Sequence, residues 1–306
     1  MSIVFLLGFV GACGGGGDDN AVTFIGETAQ ALVTTTNTPE IAPAALSNGI
    51  LSASSTSVIG RGASSTVSRR VVGDFVNQMV TQKLSLAEIV TVSRVVVGPE
   101  TDFCSGGGTV TATLNINENT GVFSAIAALN NCTEDGITSN GNLTFSGSVD
   151  LVSFEFDSPL LFTFGNLSIS DNDAADITIS GTMECDVDNP SMSSCTQNFD
   201  VLNNVSDEIF RLENYQIVET PISGGTTISI SGKFYHPEHG FVELITDTDM
   251  FVGDSDEWPT SGVIRLIGLS NSSARITMIS TTQFMLEVDS DGDSTYESST
   301  IESWPA

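Results

Sequence analysis

Polar and apolar residues alternate along most of this chain. Thr109-Val110-Thr111-Ala112-Thr113-Leu114-Asn115-Ile116 has a period of two, Asn119-Thr120-Gly121 turns it, and Val122-Phe123-Ser124-Ala125-Ile126 returns. A period of two places every second side chain on one face of a sheet. The same reading predicts strands at 141–155, 159–170, 175–185, 208–219, 225–235, 240–248, 262–269, 273–280, 282–289 and 295–302. Turn formers separate many of them: Asp171-Asn172-Asp173, Gly224-Gly225, His239-Gly240, Ser270-Asn271 and Asp291-Gly292. Connections this short make hairpins, so neighbouring strands are expected to pair antiparallel.

One stretch has a helical period instead. Val72, Phe75, Val76, Met79 and Val80 fall at i, i+3, i+4, i+7 and i+8 within 68–90, and Ser85 with Glu88 reads as a capping box. Its apolar face requires a partner, most simply the sheet. Residues 14–66 are rich in Gly, Ser, Thr, Ala and Asn and keep no period, which predicts a flexible tether. Before them, the apolar run Ile3 to Val10 leads into Val10-Gly11-Ala12-Cys13. That is the pattern of a lipobox, in which small residues admit the peptidase and the cysteine thiol receives lipid. The charged opening of a secretory signal is missing, since no Lys or Arg precedes Arg61. The expected organisation is a signal and lipobox over 1–13, a tether over 14–66 and a mostly antiparallel β domain over 67–306. The expected fold is mainly β: a strongly curved sheet packed on one helix, a half-barrel resembling lipoprotein-carrier folds. A two-layer sandwich is the alternative, and a split into two β subdomains would fall near 186–206.

Composition sharpens this picture. The 306 residues are 40% hydrophobic, enough for a core, and carry 38 acidic against 9 basic side chains. A formal charge of −29 argues against nucleic acid as a partner. The five cysteines are Cys13, Cys104, Cys132, Cys185 and Cys195. Lipidation of Cys13 leaves an even four, as an oxidising compartment requires. The sequence-local choice among three connectivities is Cys104–Cys132 with Cys185–Cys195. No pair has CxxC spacing, which argues against zinc ribbons and thioredoxin-type sites. Gly14 follows Cys13 where an inner-membrane lipoprotein of enterobacteria has Asp, so the outer membrane is the expected location.

Several segments resemble an uncharacterised group of proteobacterial outer-membrane lipoproteins. They are the lipobox, Phe103-Cys104-Ser105-Gly106-Gly107 with Asn130-Asn131-Cys132, Tyr235-His236-Pro237-Glu238-His239-Gly240, and Asp289-Ser290-Asp291-Gly292-Asp293. The likeness covers about residues 68 to 304 and implies an envelope location, but no activity. Where the group has a second glycine in the acidic turn, this chain has Ser294.

Two clusters carry candidate chemistry. Asp289, Asp291, Asp293 and Glu297 present alternating carboxylates that suit calcium. They are not an EF-hand, which wants glycine at its sixth position and a carboxylate at its twelfth, here Ser294 and Thr300. His236 and His239, the only histidines, offer zinc ligands, although Pro237 between them argues against a helix. No Gly-x-Ser-x-Gly elbow or phosphate loop is present, and Trp258 and Trp304 read as core or rim packing. The expectation is a lipid-anchored envelope protein without catalytic activity that binds lipid or another apolar ligand in its concave face. The alternatives are a surface structural or adhesive module using calcium, and a metal-dependent hydrolase built on the histidine corner.

Overall fold

The computed structural model describes residues 21–53, 95–134, 137–152, 156–171, 176–186, 192–254, 256 and 258–304. Its strands are β1 (Val95–Phe103), β2 (Thr109–Ile116), β3 (Val122–Glu134), β4 (Ile137–Val149), β5 (Phe156–Asp171), β6 (Asp176–Asp186) and β7 (Ser193–Asn203). They continue as β8 (Glu208–Ile222), β9 (Gly225–His236), β10 (Gly240–Gly253), β11 (Ser261–Ile267), β12 (Ser273–Ser280), β13 (Gln283–Asp289) and β14 (Ser298–Ser303). All fourteen lie in one sheet in sequence order, and each pairs antiparallel with its neighbours. The sheet curls into a half-barrel that does not close. This is the curved-sheet expectation; the two-layer sandwich is excluded, because one sheet holds every named strand. The subdomain split near 186–206 is also overturned. That stretch contains β7, which pairs along its length with both β6 and β8.

Alternation assigns the faces. In β2 the residues Val110, Ala112, Leu114 and Ile116 are buried while the threonines between them are half-buried. The same side of β3 carries Phe123, Ala125, Ala127 and Leu129, and that of β5 carries Leu160, Phe162 and Phe164. From β2 through β13 most apolar inner-face side chains are buried, and Phe156, Ile169 and Val252 are partly so.

The curl has a local cause. Bulges interrupt the register at Leu129/Cys132 in β3, at Phe164/Leu167 in β5 and at Glu213/Gln216 in β8. Asn131, Asn166 and Asn214 sit at these points with φ of 46°, 53° and 48°. Glycines lie beside the row on the neighbouring strands. Gly181, at φ 136°, faces the Asn198 carbonyl so closely that a Cβ would stand 2.1 Å from it. Bulges add local twist and bend, and a row of them across neighbouring strands folds the sheet along one line.

The N-terminal segment overturns part of the tether expectation. Residues 21–34 run along the sheet, 35–37 form a turn, and α1 (Thr38–Ala53) follows. On the outer face the Val22 amide donates to Asn166 Oδ1 at 2.8 Å and the Phe24 amide to Asp200 Oδ2 at 2.9 Å. The segment then passes the turn end of the strands, where Glu27 N bonds to Pro237 O and Ala31 N to Phe241 O, both at 2.8 Å. Leu269 N donates to Ala31 O at 2.7 Å, and Val33 N to Ser272 Oγ at 2.9 Å. Beyond this point α1 lies on the inner face against β8, β9 and β12. In a flat sheet, strands three apart would be about 14 Å apart, so curvature brings them under one helix. Ile41, Ala42, Ala45 and Leu46 form its buried stripe. Burying Ile41 and Leu46 contributes about 2–3 kcal/mol each. The periodic stretch 68–90 lies outside the described residues, as do Cys13 and the lipobox.

Both described disulfides match the sequence-local pairing: Cys104–Cys132 and Cys185–Cys195. The second joins residues directly opposite each other on β6 and β7, with Cα atoms 4.1 Å apart. Loop-closure entropy makes the bridges worth about 3.5 and about 3 kcal/mol respectively. At the end of the sheet away from the β9–β10 turn, Trp258 and Trp304 stack with centroids 5.0 Å apart, and Trp304 packs on Phe284. Their expected role as packing residues holds.

Candidate functional site

The β9–β10 turn, the β13–β14 turn and the start of α1 lie at the same end of the sheet, and two clusters of potential ligands form there. The first is the histidine corner. His236 ends β9 on the inner face, 4% exposed, with its ring 5.5 Å from Phe210. Pro237 breaks the strand, and the turn brings His239 back so that the two imidazole rings lie 4.6 Å apart. His239 Nε2 is 2.7 Å from Glu40 Oε2. One ligand atom from each of Glu40, His236 and His239 lies within 4.8 Å of the others. Burial pushes the His236 imidazole below its ordinary value, and the neighbouring His239 adds to this. The hydrogen bond from His239 holds the Glu40 carboxyl below its own.

Glu40 is the residue that sequence reasoning missed, because it falls within the stretch whose composition predicts a tether. A signal was present. Asn37-Thr38-Pro39-Glu40 places a capping residue, a proline in the first turn and a glutamate three residues after the cap. The helix does start here, Ile41 N donating to Asn37 O at 3.0 Å, but the Asn37 side chain turns back to Thr34 N and Leu32 O and Glu40 turns to His239.

The second cluster is the acidic turn. Ligand atoms of Asp289, Asp291, Asp293 and Glu297 also lie within 4.8 Å of one another. Each carboxylate already accepts a backbone N–H. Asp289, 2% exposed, takes Gly292 N at 2.7 Å and Ser294 N at 2.9 Å. Asp291 takes Asp293 N at 3.2 Å, Asp293 takes Thr295 N at 2.7 Å and Glu297 takes Ser290 N at 3.0 Å. These bonds shape the turn, in which Ser294 takes a φ of 71°. They leave carboxylate lone pairs for a hard cation.

Among the described residues no helix is long and apolar enough to cross a membrane. Fold and clusters together define an open single-sheet β meander, closed on its inner face and carrying potential cation ligands at one end. No protein family, no curated protein and no solved structure matches the chain.

Proposed function

We propose that this protein is a lipid-anchored envelope module, structural or adhesive, that acts through its acidic exterior, with calcium at the Asp289–Glu297 turn. The observation that carries this reading is the closed interior. An apolar carrier needs a cavity lined by apolar side chains. Here most apolar inner-face residues from β2 to β13 are buried, Phe156, Ile169 and Val252 being only partly so, and Phe199, Tyr215, Phe234 and Phe284 are at most 1% exposed. Function then falls to the outside, where the charge of −29 resides.

The N-terminal segment of residues 21–37, a strap across the sheet, supports close apposition to the membrane. If Cys13 is the acylated residue, only residues 14–21 separate it from Val22, which is already bonded to Asn166. That length of chain spans about 30 Å at full extension. The sheet is thereby held near the bilayer surface.

Titration of the native full chain with an apolar fluorescent probe tests the reading. Weak, non-saturating signal is expected. A saturating signal with defined stoichiometry would overturn it and restore the lipid-carrier alternative.

A further inference from the structure

We propose that Glu40, His236 and His239 form a site for one borderline transition-metal ion, of the zinc class, and that the ion pins α1 to the β9–β10 turn. This goes beyond the exterior role above and stands independently of it.

The donor set points to the ion. Two imidazoles and one carboxylate suit Zn²⁺ and its neighbours, whereas calcium takes oxygen alone. The chain contains only two histidines, and folding places their rings side by side. The four described cysteines are consumed in disulfides and offer no competing thiolate. Three protein ligands would leave a fourth position for water.

A structural salt bridge between Glu40 and His239 would account for only part of the corner. It gives no role to His236, which lies against the same pair although it is almost fully buried. Among the described residues, the one hydrogen bond to the His236 ring is a 3.2 Å contact from Glu238 N to Nδ1. A neutral His236 that accepts at Nδ1 carries its proton on Nε2, so ligation through Nε2 would move that proton to Nδ1 and open this long contact. Tetrahedral zinc with bonds of about 2.0–2.2 Å sets its ligand atoms about 3.4 Å apart. The 2.7 Å Glu40–His239 contact would open slightly, the ion replacing the proton they share, and the widest pair would close from at most 4.8 Å. Glu40 can follow, because its side chain is 61% exposed on the first turn of α1.

The site would also have a mechanical consequence. Glu40 is far from the histidines in sequence and reaches them only through the strap that crosses from the outer to the inner face. An ion held by all three would close a loop of about 200 residues and oppose any detachment of the helix.

The test is a competition titration of the metal-stripped full chain with Zn²⁺ against a chromophoric chelator, in millimolar Ca²⁺ to occupy the acidic turn. One saturable equivalent is expected. Glu40→Gln should weaken it about tenfold or more, His239→Ala should abolish it, and Asp291→Asn should leave it unchanged. Zn²⁺ should raise the melting temperature of the wild type and much less that of Glu40→Gln. Because Glu40 is exposed, that variant keeps the test decisive if His239→Ala fails to fold. Absence of saturable binding overturns the proposal. So does equal affinity in Glu40→Gln, or loss of binding in Asp291→Asn, which would place the ion at the acidic turn. None of these outcomes alters the probe titration, so the two readings fail separately.

Discussion

Tyr235 shows how single residues hold the strap to the sheet. Its ring lies on the outer face, 5.8 Å from Phe24 and 5.2 Å from Phe241. Beside it, Arg211 bonds Asp200 at 2.7 Å and stacks over Phe24 at 5.1 Å. The Tyr235 hydroxyl donates to Glu213 Oε2 at 2.7 Å, and Lys233 reaches the other Glu213 oxygen at 3.0 Å. Burial, and then the hydrogen bond to Glu213, push the phenol up to about 12. The folded state therefore keeps this proton where the unfolded chain, near 10, releases it. The resulting stabilisation is complete below pH 10 and is lost as pH rises through about 12. Melting temperature should fall across that window, and Tyr235→Phe should flatten the fall. The flattening will be partial, because burial also raises the pKa of Tyr215. An unchanged slope in the variant would show that Tyr235 does not hold its proton in this way. The cluster is not legible as a site in the sequence, because alternation assigns these residues to an outer face without saying what covers it.

At the scale of elements, α1 separates two readings of the same stretch. A tether has no buried side chains, so truncating one would cost nothing. Leu46 is 1% exposed within the core, and Leu46→Ala should cost about 3 kcal/mol in denaturant unfolding. A cost near zero would return residues 38–53 to the tether. The helix is illegible by periodicity because its buried stripe is short and half alanine, with Pro43 inside the helix. Sequence reasoning missed β7 for a related reason. Its inner face includes Gln197, and its outer face is Thr196, Asn198 and Asp200, so hydrophobic contrast is low. It missed β1 because Gly98-Pro99 looks like a break, yet an edge strand tolerates proline on its unpaired side.

For the whole molecule, charge dominates outside the core. Added salt should raise the melting temperature by screening repulsion among 38 acidic groups. Calcium should raise it further than sodium chloride at equal ionic strength, because an ion bound to the folded state alone stabilises it by mass action. Asp291→Asn should remove the calcium-specific part and leave the screening part. Identical curves for the two salts, or an undiminished calcium increment in the variant, would count against the acidic turn. The open edges belong to this scale too. Among the described residues β14, which is short and largely polar, and β1, which carries Pro99, Glu100 and Asp102, are the outermost strands, and these residues disfavour pairing with a second chain.

Sequence alone determined the material of this fold: period-two strands, hairpin turns and the local pairing of four cysteines. These are properties of neighbours in the chain, where a short loop allows one partner and alternation allows one face. Only the tertiary structure decided the curl. That depends on bulges at Asn131, Asn166 and Asn214 falling into one row across strands far apart in sequence. The same is true of the strap and of the histidine corner. Asn37-Thr38-Pro39-Glu40 announces a helix start, and His236-Pro237-Glu238-His239 announces a turn, but neither names the other. Their meeting requires a segment that passes from one face of the sheet to the other, and side chains so remote in sequence come together only once the sheet has folded.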